Sequence, residues 1–435
     1  DGMQQGQVTV ALMAITGNLD VPGGQILPGT GAGHNESGFG FEKGVGEELQ
    51  KKMIGLEQYP AYCMIILNAH ADLMLHALET GDPYPIKMGF YAGNNLMSCT
   101  SMEPQRWHDA IVKSLEFCIG FDTFMNASIE ASCDVFLPLK TVAERDGTVF
   151  THYAPCTVTA GFMHKAIEVG ETMTDFELCY ELGRRLRPEV WEDFASAKEF
   201  MEALRLGKKE GGAYFDKVSQ NVVCQIPVEY YKYERGEMRA DGQPGFATPT
   251  GRIELWSTAF NQFGDDPLPY YLEPQYSPVS TPELLEEYPF VLTTGARTWE
   301  YFHSEERQVP RLRESHPDPL TDLHPDTAAK IGVCEGDWIW VENMRGKCKQ
   351  RVRINASLKP DTVRSEHGWW FPETDGAEPN LFGVFDSNIN NLTVQGVTGP
   401  TLYGAPYANQ ICKIYPVTKE NDCSPSEIVT RKGGF

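Results

Sequence analysis

Residues 86–121 read IKMGFYAGNNLMSCTSMEPQRWHDAIVKSLEFCIGF, in which two short apolar runs flank a stretch with helical spacing. The pattern predicts a strand over 86–91, a helix over 104–116 and a strand over 117–121, and a later apolar run predicts a strand over 134–137. Strands that alternate with helices, and that are apolar enough to be covered on both faces, are typical of a parallel sheet with right-handed crossovers. The sequence therefore predicts an α/β fold in this part of the chain.

Further helices are predicted on both sides of this region. Their apolar spacing places them over 5–16, 61–80, 174–187 and 194–206. Thr174 and Glu177 have the capping-box spacing, which marks the start of the third of these helices. The periodicity is lost between residues 207 and 245, which favours a peripheral excursion there.

The last third of the chain has a different pattern. A proline-rich stretch from Pro267 to Pro289 is typical of a linker, so we place a domain boundary near residue 285. Beyond it, residues 338–341 and 347–354 alternate in polarity around an Asn343–Gly346 turn, which predicts a hairpin within a closed β-barrel. The predicted domains are therefore residues 1–285 and 286–435.

The composition excludes some classes of protein. A net charge of -23 repels a phosphate backbone, so nucleic acid is not an expected partner. No apolar run is long enough to span a bilayer, so we expect no direct membrane insertion. The chain begins at Asp1 without a readable targeting signal. Its location therefore stays open between the cytoplasm and export by a twin-arginine signal ahead of residue 1.

The cysteines and histidines give no pattern typical of a metal site. The closest of the 11 cysteines are Cys412 and Cys423, so the sequence contains no CxxC pair. His70 and His76 share a predicted helix but are off the i,i+4 spacing that places two ligands on one face. The apolar surroundings of several cysteines favour buried free thiols. These are Cys63, Cys118, Cys133 and Cys179. We therefore expect no metal-binding residues and no self-contained hydrolase or zinc enzyme.

Polar residues follow two of the predicted strands. Asn94 and Asn95 come after the first, and Asp122 comes directly after the second. Ligands of open parallel sheets bind at the carboxyl ends of the strands, and a carboxylate there can accept both N–H donors of a guanine. The alternative is that Asp122 only caps the turn into residues 123–125.

Basic and aromatic residues suggest where phosphates and a substrate would bind. Arg145 can pair with a pyrophosphate, or it can form a surface ion pair with Glu144 or Asp146. The segment from Thr293 to Arg297, followed by His303 and Ser304, can cradle a phosphate or a ring, or these can be ordinary turn residues. Several aromatic residues either line a binding site or belong to the core. These are Trp299, Tyr301, Phe302, Trp369 and Trp370.

Several ordered segments resemble those of one family. Residues 14–24 resemble its LTGNxxxPGG segment, and residues 93–96 resemble GxNPL, with Asn95 in place of proline. The other similar segments are 122–147, 248–255 and 323–337, which resemble DxFxTxTAxxADxxLPxxxxxExxG, TPSGKIEL and HPxTAxxxGIxxGD. Together they resemble the molybdopterin oxidoreductase, or dimethyl sulfoxide reductase, family. Four stretches are most similar to the branch that contains acetylene hydratase and the anaerobic catechol dehydroxylases. They are residues 83–87, 264–271, 338–342 and 367–373.

The resemblance implies an α/β cofactor-binding domain followed by a double-psi β-barrel of the aspartate-decarboxylase type. It implies two sets of contacts, although Asn126 stands where the family has threonine. The residues expected at one guanine dinucleotide are Asn94, Asp122, Asn126, Arg145 and Asp175. Those expected at the pterin and phosphates in the barrel are Thr294, Gly295, Arg297, His303, Ser304, Asn390, Asn409 and Gln410.

The resemblance also implies the cofactor and the activity. Family members hold two copies of molybdopterin guanine dinucleotide with molybdenum or tungsten. Their metal ligand and iron–sulfur cluster lie in an amino-terminal half that this sequence lacks, so we name no catalytic residue and expect that half as a partner. An iron–sulfur electron-transfer subunit is a second possible partner. The expected function is an oxidoreductase of a small organic or aromatic substrate; the alternatives are a non-redox hydratase and a non-catalytic nucleotide-binding or assembly subunit.

Overall fold

A computed structural model describes residues 2–27, 46–66, 68–154, 157–200, 219–221, 223–396 and 410–422. The chain packs into two compact units whose segments alternate along the sequence. Unit 1 comprises residues 1–70, 138–271 and 400–402, and unit 2 comprises residues 71–137, 272–399 and 403–435. Residue 285 thus lies inside unit 2, where the segment 71–137 packs with the later barrel strands. The division into domains 1–285 and 286–435 stays a prediction.

The helices and strands are numbered in chain order. The helices are α1 (Gly2–Ile15), α2 (Glu47–Gln50), α3 (Pro60–Ile66), α4 (Ala71–Thr80), α5 (Pro104–Ser114), α6 (Ala127–Ser132), α7 (Asp175–Leu186), α8 (Pro188–Trp191), α9 (Thr258–Gln262), α10 (Pro310–Ser315), α11 (Pro325–Ile331) and α12 (Val384–Ser387). The strands are β1 (Met88–Ala92), β2 (Phe117–Asp122), β3 (Val135–Pro138), β4 (Gly147–Ala154), β5 (Thr157–Met163), β6 (Val223–Pro227), β7 (Phe290–Ala296), β8 (Leu320–Leu323), β9 (Trp338–Glu342), β10 (Lys347–Ile354), β11 (Thr362–Glu366) and β12 (Gln410–Pro416). Among these described segments, no helix combines the length and the apolar composition that a bilayer span requires.

Unit 1 contains an antiparallel sheet that the sequence did not predict. Strands β4 and β5 pair from Gly147↔Met163, and β5 pairs with β6 from Thr157↔Pro227. The third strand lies some 60 residues further along the chain, so no local pattern identifies it. The predicted capping box of α7 is confirmed, because Thr174 Oγ1 accepts from Glu177 N at 3.0 Å and the Glu177 carboxylate accepts from Thr174 N.

The single helix predicted over 61–80 is wrong. It is two helices, α3 and α4, and His70 lies between them. His70 is fully buried, stacks on Tyr59 with ring centroids 4.0 Å apart, and donates its backbone N–H to Ile54 O at 2.9 Å. These contacts use the backbone group that a continuous helix needs, so His70 and His76 do not share a helix. The helix predicted over 194–206 and the excursion over 207–245 lie partly outside the described residues.

The predicted parallel sheet is confirmed in unit 2. Its strand order is β1-β2-β3, and β1 runs parallel to β2 from Met88↔Phe117 to Ala92↔Phe121. Helices α4 and α5 bury a cluster of apolar side chains with it. The cluster contains Leu75, Leu78, Trp107, Ala110 and Ile111. Among the described residues, Phe90 and Phe117 of the sheet remain 49% and 39% exposed. The described residues therefore cover one face of the sheet, whereas the sequence predicted that both faces would be covered.

The predicted barrel is also confirmed in unit 2. Six strands close in the order β10-β8-β11-β7-β12-β9. The predicted hairpin is β9–β10, which pairs antiparallel from Lys347↔Glu342 to Arg351↔Trp338. Alternate residues of the strands point inward, and Leu292, Ile339 and Val352 are fully buried in its core.

Two asparagines attach the barrel to the segment that follows β1. That segment is a π-helix over Leu96–Thr100. Asn388 Nδ2 donates to Met97 O at 2.7 Å, and Asn390 Nδ2 donates to Cys99 O at 2.8 Å and to Ser101 O at 2.9 Å. Both asparagines are buried, so these bonds fix the end of β1 against the loops of the barrel.

Candidate cofactor site

Asp122 lies at the carboxyl end of β2, where the sequence placed a guanine-binding carboxylate. Its Oδ1 accepts from Thr123 N at 2.6 Å, and its Oδ2 accepts from Asn126 Nδ2 at 3.1 Å. The alternative role of Asp122 in its own turn is therefore present in the structure. Thr123 Oγ1 also donates to Oδ1, at 3.3 Å. A carboxylate has about four acceptor positions, so these three bonds leave one position open, and a guanine donor can take a second one from the Thr123 hydroxyl.

Asn126 acts on the chain itself. Its Oδ1 accepts from Ser128 N at 3.0 Å and from Ile129 N at 3.1 Å, which caps α6. Its Nδ2 orients Asp122, and the side chain is buried. The predicted contact between Asn126 and the cofactor stays a prediction, but the side chain has a structural role that the sequence did not reveal.

The two asparagines after β1 have different partners. Asn94 Oδ1 accepts from Thr100 Oγ1 at 3.3 Å, and Asn95 Oδ1 accepts from Ser128 Oγ at 3.0 Å. Asn95 thus holds the loop onto α6. Gly93 has a φ of +54° and open space around its Cα, which leaves the end of β1 accessible.

The loop after β7 opens on a cavity of about 380 Å³ in unit 2. Gly295 has a φ of +86° and no atom within 4 Å of the position of a Cβ. The cavity is lined by Arg297, Thr298, Trp299, Glu300, His316, Arg353, Asn355 and Arg364. Arg353 and Arg364 pair with the buried Asp322, whereas no described acidic side chain pairs with Arg297. The lining therefore favours an anion.

Beside this loop lies a group that the sequence did not predict. One ligand atom each from Cys99, His303 and His367 lie within 4.8 Å of one another, a group that can hold a metal ion. His303 Nδ1 and His367 Nε2 are 2.8 Å apart. The expectation that the chain has no metal-binding residues stays a prediction, and spacing along the sequence could not have identified this group.

Backbone geometry brings the two imidazoles together. His303 has a φ of +56°, and Gly368 has a φ of +68°. A Cβ on Gly368 would lie 2.8 Å from the carbonyl carbon and oxygen of His303, so only glycine allows this approach without displacement.

Arg307 holds the same two loops. It is buried, and it donates from Nη1 to His303 O at 2.5 Å and from Nη2 to His367 O at 3.2 Å. Its guanidinium lies 4.6 Å from the ring centroids of both Tyr301 and Trp369. Burial lowers the pKa of Arg307 to about 10, so it stays charged at neutral pH.

Burial and nearby charges shift the pKa values of several residues around this loop. Burial, followed by Arg297 and Arg307, lowers the pKa of His303, which keeps its imidazole neutral. Burial raises the pKa of Cys99. The pKa of Glu305 is raised by burial and then by Glu306 and Asp122, so the Asp122 edge and the barrel loop belong to one region of unit 2.

The other predicted residues lie partly in unit 1 and partly in unit 2. Arg145 and Asp175 are in unit 1, where Arg145 Nη1 pairs with Asp175 at 3.1 Å. The surface partners expected for Arg145, Glu144 and Asp146, are wrong for the described residues, because Glu144 accepts from Thr141 in its own turn. Asn409 lies outside the described residues. Gln410 is buried at the start of β12, while Thr294 and Ser304 lie in the barrel strand β7 and in the loop after it.

Comparisons with known proteins agree with this site. Residues 290–410 match the model of the Molydopterin dinucleotide binding domain. The chain is 27% identical to a dopamine dehydroxylase of Eggerthella lenta, over 94% of this chain and 46% of that protein. It is 28% identical to the acetylene hydratase of Syntrophotalea acetylenica, over 85% of this chain and 52% of that protein. The chain is thus similar to molybdopterin oxidoreductases along most of its length.

The fold of this chain is also found in a solved structure. Acetylene hydratase from Pelobacter acetylenicus superposes with a TM-score of 0.75 and 25% identity, covering 88% of this chain and 54% of that one. The chain spans about half the length of the curated relatives it matches. Those relatives include a dehydroxylase, a hydratase and reductases.

The described residues of the chain fit a pterin dinucleotide. Two polar atoms in the arginine-lined cavity, Thr298 Oγ1 and Arg364 Nε, are buried without a hydrogen-bond partner among the described residues. Buried polar atoms need such partners, and a phosphate or a pterin supplies them. Gly295 leaves the space that a ligand needs, and Asp122 retains acceptors for a guanine.

The aromatic residues divide between the two roles considered for them. Tyr301, Trp369 and Trp370 are buried, with exposed fractions of 4%, 0% and 2%, and so belong to the core. Trp299 and Phe302 are exposed. Of the five aromatic residues considered, only Trp299 and Phe302 therefore have rings that a ligand can contact.

Proposed function

We propose that this chain binds a molybdenum or tungsten cofactor with two pterin guanine dinucleotides, and does so within an oxidoreductase of small organic or aromatic substrates. The observation that carries the proposal is that unit 2 contains both a carboxylate suited to guanine and a cavity suited to phosphates. A carboxylate with free acceptor capacity ends β2, and a cavity lined by Arg297, Arg353 and Arg364 opens beside the loop after β7. The first suits a guanine base, and the second suits phosphates.

Each part of the chain has its own task in this proposal. When bound, the cofactor supplies the metal-centred chemistry on the substrate. Asp122, held by Asn126, selects guanine, and Arg297 neutralises phosphate. Thr294, Gly295, His303 and Ser304 form the wall that the pterin approaches. In unit 1, Arg145 offers a cation to a phosphate, and its Nε is buried without a partner among the described residues.

The proposed substrate class rests on exposed rings and on the relatives. Trp299 and Phe302 present apolar faces next to the arginine-lined cavity. Such faces favour a neutral organic molecule over a hydrated oxyanion. One similar protein is a dopamine dehydroxylase, which supports an aromatic substrate. Acetylene hydratase is similar to this chain in both sequence and fold, which supports hydration without net redox change as the second candidate.

We also propose partners for this chain, because it spans only about half the length of its curated relatives. The curated relatives are about twice as long, so we propose that the remaining family segment supplies the metal ligand and an iron–sulfur cluster. An iron–sulfur subunit would then deliver electrons.

The guanine assignment predicts base selectivity in the isolated chain. With GDP and ADP as probes, isothermal titration calorimetry should show tighter binding of GDP by roughly 30- to 800-fold, as two charge-assisted hydrogen bonds require. The sugar and phosphates are the same in both probes, so the ratio reports the base alone. Equal affinities would contradict guanine recognition.

The substrate proposal is tested with the cofactor-loaded protein under anaerobic conditions. Reduced viologen should be oxidised in the presence of catechols, and little or not at all with nitrate or arsenate. Turnover of acetylene without viologen oxidation would favour the hydratase instead. Activity confined to the inorganic oxyanions would contradict both candidates.

A further inference from the structure

The two imidazoles of His303 and His367 share a single proton. Nδ1 of His303 and Nε2 of His367 are 2.8 Å apart, so one of them donates and the other accepts. The Cys99 ligand atom lies within 4.8 Å of both residues' ligand atoms. One thiol and two imidazoles, from three segments of unit 2, thus converge on one point.

The convergence is built into the fold. Asn390 fixes the carbonyl of Cys99, and Arg307 fixes the carbonyls of both histidines. Gly368 allows the two loops to touch, and His303 has a left-handed backbone conformation that costs free energy in a non-glycine residue. The ligand atoms are therefore held near one another before any ligand binds, which reduces the entropic cost of binding.

We propose that Cys99, His303 and His367 bind one thiophilic d¹⁰ cation, Cu⁺ in preference to Zn²⁺, through one sulfur and two imidazole nitrogens. Thiolate and imidazole ligands select such ions, whereas Ca²⁺ and Mg²⁺ require oxygen ligands, which this group lacks. With metal–nitrogen bonds of about 2.0 Å the two nitrogens lie about 3.3 Å apart. The imidazoles must therefore separate by about half an ångström, and each ring must turn so that its nitrogen points at the ion instead of at the other ring.

The local charge selects the monovalent ion. Arg307 is buried beside the histidines, Arg297 lies on the same loop, and Glu305 and Glu366 are the nearby carboxylates. Glu366 is already hydrogen-bonded to His316 at 3.0 Å. A Cu⁺–thiolate pair is neutral, whereas a Zn²⁺–thiolate pair carries a net positive charge next to a buried guanidinium. The neutral complex costs less in this low-dielectric site.

The proposal can be tested separately from the cofactor assignment, with which it shares His303. Cys99 and His367 are not among the residues we assign to the cofactor, and Asp122 is not a metal ligand. Asp122→Ala should therefore weaken GDP binding and leave Cu⁺ binding unchanged. Cys99→Ser should do the reverse.

The test is anaerobic titration of the reduced 435-residue chain with Cu⁺ in competition with bicinchoninate, repeated with Zn²⁺. The wild-type chain should bind one tight equivalent of Cu⁺, and Cys99→Ser, His303→Asn and His367→Gln should each lower the affinity on the order of 100-fold. Asparagine tolerates the left-handed conformation of residue 303. Cys334→Ser, which alters an exposed thiol, is the matched control and should change nothing.

A second pair of thiols could bind Cu⁺ instead, and the test must distinguish it from the proposed site. Cys118 Sγ and Cys133 Sγ are 3.5 Å apart and also attract Cu⁺. Loss of the tight equivalent in Cys118→Ser, with its retention in Cys99→Ser, would overturn the assignment. Copper X-ray absorption of the wild-type chain needs no variant, so it decides the question even where a variant misfolds. One sulfur and two imidazole nitrogens are expected, and sulfur-only coordination, or the absence of a tight equivalent, would refute the site.

Discussion

Replacing Asp322 with alanine should lower the free energy of unfolding of unit 2 by about 3 kcal/mol. Asp322 is fully buried in the barrel, and it accepts from Arg353 Nε at 2.5 Å, Arg364 Nη2 at 2.6 Å and Asn355 Nδ2 at 3.1 Å. Its removal leaves two guanidinium groups and an amide without their acceptor. The loss lies at the low end of the range for buried pairs, because the two arginines are 37% and 41% exposed and can take up water.

A neighbouring pair provides the control. Arg351 lies two residues before Arg353 on β10, is also 37% exposed and pairs with Asp318 at the same 2.5 Å. The two aspartates differ in exposure, 25% for Asp318 and 1% for Asp322. Asp318→Ala should therefore cost no more than about 1 kcal/mol. Urea titrations followed by tryptophan fluorescence measure both, and equal losses would show that burial of Asp322 is not the cause.

Replacing Asp122 with alanine should weaken GDP binding by about 2–4 kcal/mol, roughly 30- to 800-fold, while ADP binding changes little. The carboxylate supplies both acceptors for the N1–H and amino donors of guanine, and alanine supplies none. Asp122→Asn sharpens the test, because an amide keeps the shape but presents one donor to an edge that offers two donors. The preference for GDP over ADP should disappear in both variants.

Two controls are needed for this prediction. Asp122 also accepts from Thr123 N, so circular dichroism must show that the variants keep their fold. Glu116→Gln is the matched control, since Glu116 pairs with Lys87 at the other end of the β1–β2 strand pair and is 67% exposed. A GDP affinity of Asp122→Ala equal to that of the wild-type chain would remove Asp122 from the site.

The features that the sequence predicted correctly depend on neighbours along the chain. Apolar alternation identified β9 and β10 and the turn between them, and helical spacing between two apolar runs identified the parallel sheet. Thr174 and Glu177 are three residues apart, so their reciprocal capping is readable from the order of residues alone. The position of Asp122 at the carboxyl end of β2 could be read from the sequence because it directly follows the predicted strand. Its contact with guanine stays a prediction.

Other features were missed because a local pattern does not specify them. The helix over 61–80 had continuous helical spacing, yet the stacking of His70 on Tyr59 interrupts it. Tyr301 and Trp369 looked equally suited to a wall or a core, and only packing around Arg307 assigns them to the core. The roles of Asn126 and Asn390 as clamps depend on backbone groups whose positions the sequence does not give.

By itself, then, the sequence determined the α/β and barrel segments, the capping of α7 and the position of Asp122, because periodicity and capping are properties of consecutive residues. The tertiary structure alone decided the Cys99–His303–His367 group, the burial of Arg307 and the ion pairs of Asp322. His303 and His367 are 64 residues apart, and Cys99 comes from a different segment again. The three side chains come together because of the loop conformation at His303 and Gly368 and because of buried hydrogen bonds. Neither of these features produces a recognisable periodicity or residue spacing in the sequence.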